Sequence, residues 1–177
     1  MKRSKITILL AIVLGMTFHS CLDLEPQDQL GGKNMWTSVN DYKQFANTFY
    51  SWTRDFSSVV YDGTHSDKRS DLITYQSYNE FSRGINSIPS SDANYTDNYK
   101  HIRRTNLLLQ NAEAYAKPED IKQYIGEAYF FRAYSYFDLL QLYGDVIITK
   151  KPLDITDPEM KVKRNDRSEV VDLIIDD

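Results

Sequence analysis

Gly126-Glu127-Ala128-Tyr129-Phe130-Phe131-Arg132-Ala133-Tyr134-Ser135-Tyr136-Phe137-Asp138-Leu139-Leu140-Gln141-Leu142-Tyr143-Gly144-Asp145-Val146 is the stretch on which the fold turns. Followed upstream to Pro118, it is the strongest helix signal in the chain. Pro118 suits the first helical turn, and Glu119 and Asp120 sit at the positive end of the helix dipole. Gly144 follows the last apolar residue, where helices commonly stop. Between these signals Ile121, Tyr124, Ile125, Ala128, Phe131, Ser135, Leu139 and Leu142 recur at spacings of three and four, which makes one apolar face. Gly126, Ala128 and Ala133 are small residues among aromatics and would let a neighbouring backbone approach.

Upstream, Tyr95, Tyr99, Ile102, Asn106 and Leu109 follow the same period, predicting a helix over about 92–114. Only a few residues separate it from the next helix, so the two fold back as an antiparallel pair. Tyr99, Ile102 and Leu109 are expected to face Ile125, Ala128 and Phe131. An earlier helix over about 39–54 is marked by Ser38 as cap, Asp41 three residues on, and Tyr42, Phe45, Ala46 and Phe49 as its stripe. Between 55 and 91 turn formers break the pattern, with one short helix expected near 71–78. Downstream, 145–149 reads as extended and 152–163 as a polar loop, and a last helix begins near Asp166 or Ser168. That helix pattern reaches Asp177 without a stop signal, as expected of a chain cut from a longer one. The expected fold is mainly α, with tetratricopeptide-like antiparallel helix pairs, long irregular loops and an incomplete solenoid.

The first twenty residues read as an export signal. Lys2, Arg3 and Lys5 precede an apolar run from Ile6 to Phe18, and Ser20-Cys21 follows. The run is too short for a helix that spans a bilayer. Cys21 is the only cysteine, so no intramolecular disulfide forms. Its place directly after the apolar run points to acylation of a mature N-terminus at Cys21, hence a membrane reached through a lipid anchor. Residues 21–34 are polar and acidic and read as a tether, leaving 35–177 as the helical domain. Removing 1–20 takes three positive charges from a net charge of −4 and leaves −7. An acidic chain without a basic stripe argues against a nucleic-acid partner.

No nucleophile motif, metalloprotease motif or phosphate loop is present, so no enzyme, metal centre or cofactor is expected. Asp62, His65, Asp67 and Asp71 lie close in sequence and read as a solvated loop. Glu127 and Arg132 stand about 140° apart around the helix axis and so do not share a face. With Asn106 they read as structural polar residues, Glu127 reaching towards Asn106. Tyr134, Tyr136, Phe137 and Tyr143 read as packing residues. Trp52 and Tyr75, outside the helical stripes and next to polar side chains, are the expected ligand-binding aromatics. Each is expected to be replaceable with Ala without loss of thermal stability.

The stretch 126–146 closely resembles the signature helix of SusD/RagB proteins, whose pattern reads roughly G-E-A-R-F-L-R-A-x-x-Y-F-x-L-x-x-x-Y-G-D-V-P. Tyr129, Phe131 and Ile147 depart from it. Cys21-Leu22-Asp23-Leu24-Glu25-Pro26 is similar to the family's start after lipidation. Trp36 with Asp41, Tyr99-x-x-Ile102-x-x-x-Asn106-Leu107-Leu108, and Arg167 to Ile174 resemble its first, second and following helices. The resemblance implies a helical, lipid-anchored outer-membrane protein at the cell surface. It also implies capture of glycans or peptides for a SusC-like TonB-dependent transporter. A structural helical adaptor of an outer-membrane assembly, without a ligand, is the alternative.

Overall fold

Helices account for most of the residues that the computed structural model describes, which are 35–55, 83–85, 87–154 and 156–177. In chain order they are α1 (Val39–Asn47), α2 (Ala93–Glu113), α3 (Pro118–Tyr143) and α4 (Arg167–Asp176). Short 3-10 turns cover Thr48–Trp52 and Pro158–Lys161. The expected helical fold is therefore the observed one. The described residues from Trp36 onward belong to one compact unit.

The start of α1 follows its local sequence. Ser38 and Asp41 form a reciprocal capping box, with Ser38 N–H donating to Asp41 Oδ2 at 2.8 Å. Trp36 adopts a left-handed φ of 78°. Its ring lies 5.0 Å from Tyr42 and 4.7 Å from Phe45, packing that offsets the backbone strain. The α-helix stops at Asn47, earlier than the apolar stripe implies. Thr48, Ser51 and Thr53 each donate a hydroxyl to the carbonyl three residues back, at 2.7–2.8 Å. Such local bonds compete with the α pattern and favour the tighter 3-10 turn.

α2 and α3 pack antiparallel. Tyr95 meets Tyr143, Ile102 clusters with Tyr136 and Leu139, and Asn106 bonds Arg132. This register differs from the expected one, because Tyr99 and Ile102 lie further along α3 than Ile125 and Ala128. Phe131 is turned instead towards the α1 side, against Phe49 and Trp52 at 5.7 and 5.8 Å. Gly126 is exposed with nothing within 4 Å of a built Cβ, so it mediates no close helix approach. Ala128 is fully buried.

Among the described residues, the extended segment after α3 has no sheet to join. Val146 makes a single antiparallel bridge to Asn165. Tyrosine hydroxyls satisfy the next backbone groups: Ile147 N–H donates to Tyr99 at 2.9 Å, and Thr149 N–H to Tyr136 at 2.7 Å. The core therefore combines Ile102, Tyr136 and Leu139 with Val146 of this segment and Val170 and Leu173 of α4. The polar stretch 152–163, expected as loop throughout, contains the second 3-10 turn.

The Tyr143-Gly144-Asp145-Val146 tetrapeptide ties α3 to the starts of α2 and α4. Tyr143 donates its hydroxyl to Asp92, the N-cap of α2, at 2.6 Å. Asp145 accepts from the first N–H of α4, that of Arg167, at 3.1 Å. Gly144, at φ 71° and ψ −107°, makes the reversal between them in a region other residues avoid. A Cβ there would also sit 2.8 Å from the Arg167 guanidinium. Gly144→Ala is expected to cost about 1–3 kcal/mol, mostly as backbone strain. A shifted urea midpoint with an unchanged slope would show it.

Candidate functional site

α2 and the segment that follows α3 line an open cavity of about 440 Å³. Its apolar wall is built from Tyr95 and Tyr99 on α2, together with Ile147, Leu153 and Met160. A spacing of four places the two tyrosines on one helix face. Their rings lie 4.8 Å apart with planes at 50°, a bent aromatic surface.

Both rings are held from behind. The Tyr99 hydroxyl donates to the Ile147 carbonyl and accepts from the Ile147 N–H, both at 2.9 Å. Burial, above all, pushes the Tyr99 hydroxyl far above the usual tyrosine range, so it stays protonated. Tyr95 packs its ring edge-on against Tyr143 at 5.2 Å. The Tyr143 hydroxyl bond in turn holds the Asp92 carboxyl below the ordinary carboxylate range.

Charged side chains form the rim, and each is ion-paired. Lys100 Nζ lies 2.7 Å from Asp97, and Lys151 Nζ lies 2.7 Å from Glu159 on the second 3-10 turn. The Glu159 bond and charge raise the Lys151 pKa. Arg103 donates to the Leu153 carbonyl at 3.3 Å and approaches Asp154 at 3.6 Å. An aromatic wall with paired charges at its edge is chemistry for holding a ligand. Among the described residues, no three His, Cys, Asp or Glu side chains gather as a metal site.

The residues nominated from the sequence lie elsewhere. Cys21, Tyr75 and the 62–71 acidic stretch fall outside the described residues. Trp52 is described, and its ring is engaged. It stacks on His101 at 4.0 Å and 14°, lies 4.7 Å from Phe49, and meets Phe131 edge to face. Burial lowers the His101 pKa, keeping the imidazole beneath Trp52 neutral near pH 7. Truncating Trp52 therefore removes packing, and an unchanged melting temperature no longer follows.

Asn106 and Arg132 do form a buried polar group, but with different partners from those expected. Arg132 Nη1 donates to Asn106 Oδ1 at 2.8 Å, and its Nε donates to Asp177 at 2.6 Å. Asn106 then donates to the Thr149 carbonyl at 2.9 Å. Glu127 does not reach Asn106. It accepts from Gln123 on its own helix at 3.0 Å and lies beside Tyr50. Phe137, read as packing, is exposed.

In the sequence Tyr95 and Tyr99 stand out only as members of the α2 stripe. The available signal was the tyrosine identity, since a purely apolar contact has no need of hydroxyls. Lys151 and Glu159 carried no signal, because only the second 3-10 turn brings them together.

Residues 22–177 match the family model for SusD-like proteins, described as starch-binding and associating with the outer membrane. A SusD-like protein of Formosa agariphila is 28% identical over 196 residues, an alignment covering 99% of this chain and 36% of that protein. The crystal structure of a SusD-like protein from Bacteroides fragilis superimposes with a TM-score of 0.65 at 23% identity. That match covers 85% of this chain and 30% of the other. The chain thus spans about a third of the length of these relatives.

Proposed function

The chain belongs to the SusD-like family, and on that premise we propose that it serves nutrient capture at the outer membrane. It binds glycans, or peptides, without transforming them and delivers them to a SusC-like TonB-dependent transporter. A lipid on Cys21 holds it to the membrane, at the cell surface. The observation that carries this reading is the family match running from Leu22 to Asp177, which begins at the residue after Cys21. The cavity lined by Tyr95 and Tyr99 supports a binding role.

Two measurements on cells test the reading. Cys21→Ala is expected to abolish labelling by radioactive palmitate and to release the protein from the outer-membrane fraction. Persistent labelling would overturn the anchor. Affinity purification of the tagged protein from its own membranes is expected to bring down a large β-barrel, and deletion is expected to stop growth on one glycan or peptide source. Purification with the barrel but no growth defect on any source would favour a structural adaptor.

A further inference from the structure

Resting on the binding role proposed above, we infer that Asn106 is a positioning residue for the cavity. Its side-chain amide fixes the strap 147–153, which forms one wall, and so sets how wide the cavity stands. The amide makes all of its bonds at fixed points. Nδ2 carries two N–H groups and faces two strap carbonyls, that of Thr149 at 2.9 Å and that of Lys151 at 3.4 Å. Both residues line the cavity. Oδ1 accepts from Arg132 Nη1 at 2.8 Å, and Asp177 anchors that guanidinium from the other side.

That arrangement allows the amide one orientation only. Turning it over would aim Oδ1 at two carbonyl oxygens and Nδ2 at a guanidinium. Asn106 is 1% exposed, so water cannot stand in for any of these partners. The tyrosine ties are of a different kind. Tyr99 and Tyr136 meet the N–H groups of Ile147 and Thr149 through hydroxyls, at 2.9 and 2.7 Å. A hydroxyl rotates about its C–O bond and can follow a strap that shifts. A planar amide clamped at three points cannot, and it holds the strap at two residues at once. Arg132 acts on the cavity only through Asn106.

Hydrogen–deuterium exchange of the intact protein, read by mass spectrometry, tests this without a ligand. A negative result therefore leaves the capture role standing. The reporters are the N–H groups of Ile147, Ile148 and Thr149, each bonded to a side chain. Asn106→Asp keeps the shape of the side chain and still accepts from Arg132. Its second oxygen now faces the two carbonyls and repels them. Exchange in the strap peptide is expected to rise by about tenfold or more, the scale of losing hydrogen bonds of ordinary net strength. Peptides from α2 and α3 should change by less than about threefold, because a local release leaves the helices folded. The rise should also hold constant through low urea, since a released strap exposes little surface. Asn106→Leu, of similar shape, removes both bonds without burying a charge and should raise strap exchange by about threefold or more. That variant decides the matter if Asn106→Asp melts early. A rise shared equally by the helices, or one that grows with urea, would reduce Asn106 to a general stabiliser and overturn the positioning role. Strap exchange unchanged in a folded variant would overturn it as well.

Discussion

Arg132→Ala is expected to lower the unfolding free energy by about 3–5 kcal/mol, the range for breaking a buried ion pair from one side. The guanidinium joins three elements of the fold. It bonds Asn106 on α2, pairs with Asp177 just after α4, and projects from α3. The Arg132 side chain is 6% exposed and that of Asp177 is 4% exposed, so water cannot replace what the substitution removes. Asp177 would be left as an uncompensated carboxylate and Asn106 Oδ1 without its donor. The loss should appear as a lower urea midpoint. The double change Arg132→Met with Asp177→Leu should recover much of it, because a buried pair replaced by apolar groups no longer carries the desolvation cost. A single variant within about 1 kcal/mol of wild type would show that the pair adds little, as exposed pairs do.

Ala128→Trp is expected to cost about 3 kcal/mol or more, at or beyond the upper end of the usual overpacking range. Ala128 has no exposed surface, and α3 packs against α1, α2 and α4. Close-packed interiors yield little volume, so an indole at this position must push a helix away. Two residues earlier, Gly126 stands in open space, and Gly126→Ala should be neutral or slightly stabilising through helix propensity. The contrast makes the test internal. Equal effects at the two positions would mean that the buried face of α3 is assigned wrongly.

Much of the architecture could be read locally. The capping box at Ser38, Pro118 with its acidic first turn, and Gly144 mark helix ends through interactions that span a few residues. The four-residue link between α2 and α3 leaves hardly any choice but an antiparallel return. The 3-10 turn at Thr48 was missed because hydroxyl-to-carbonyl bonds won over an apolar stripe that still looked helical. The register of α2 on α3 was missed for another reason. Apolar stripes say which faces meet, and sliding one helix along the other by whole turns keeps those faces in contact.

Residue identity and spacing were enough to specify helices, their order, the polar character of Asn106, Glu127 and Arg132, and the family resemblance carried by 126–146. Each of these depends on chemistry confined to one helix or one turn. Tertiary structure alone selected Arg132, and not Glu127, as the partner of Asn106. It also pressed Trp52 onto His101 and set Tyr95 and Tyr99 opposite Ile147, Leu153 and Met160. Those outcomes depend on residues about 25 to 65 positions apart in the chain meeting at a few ångströms. Such meetings are set by the whole balance of packing and solvation, which no short stretch of sequence contains.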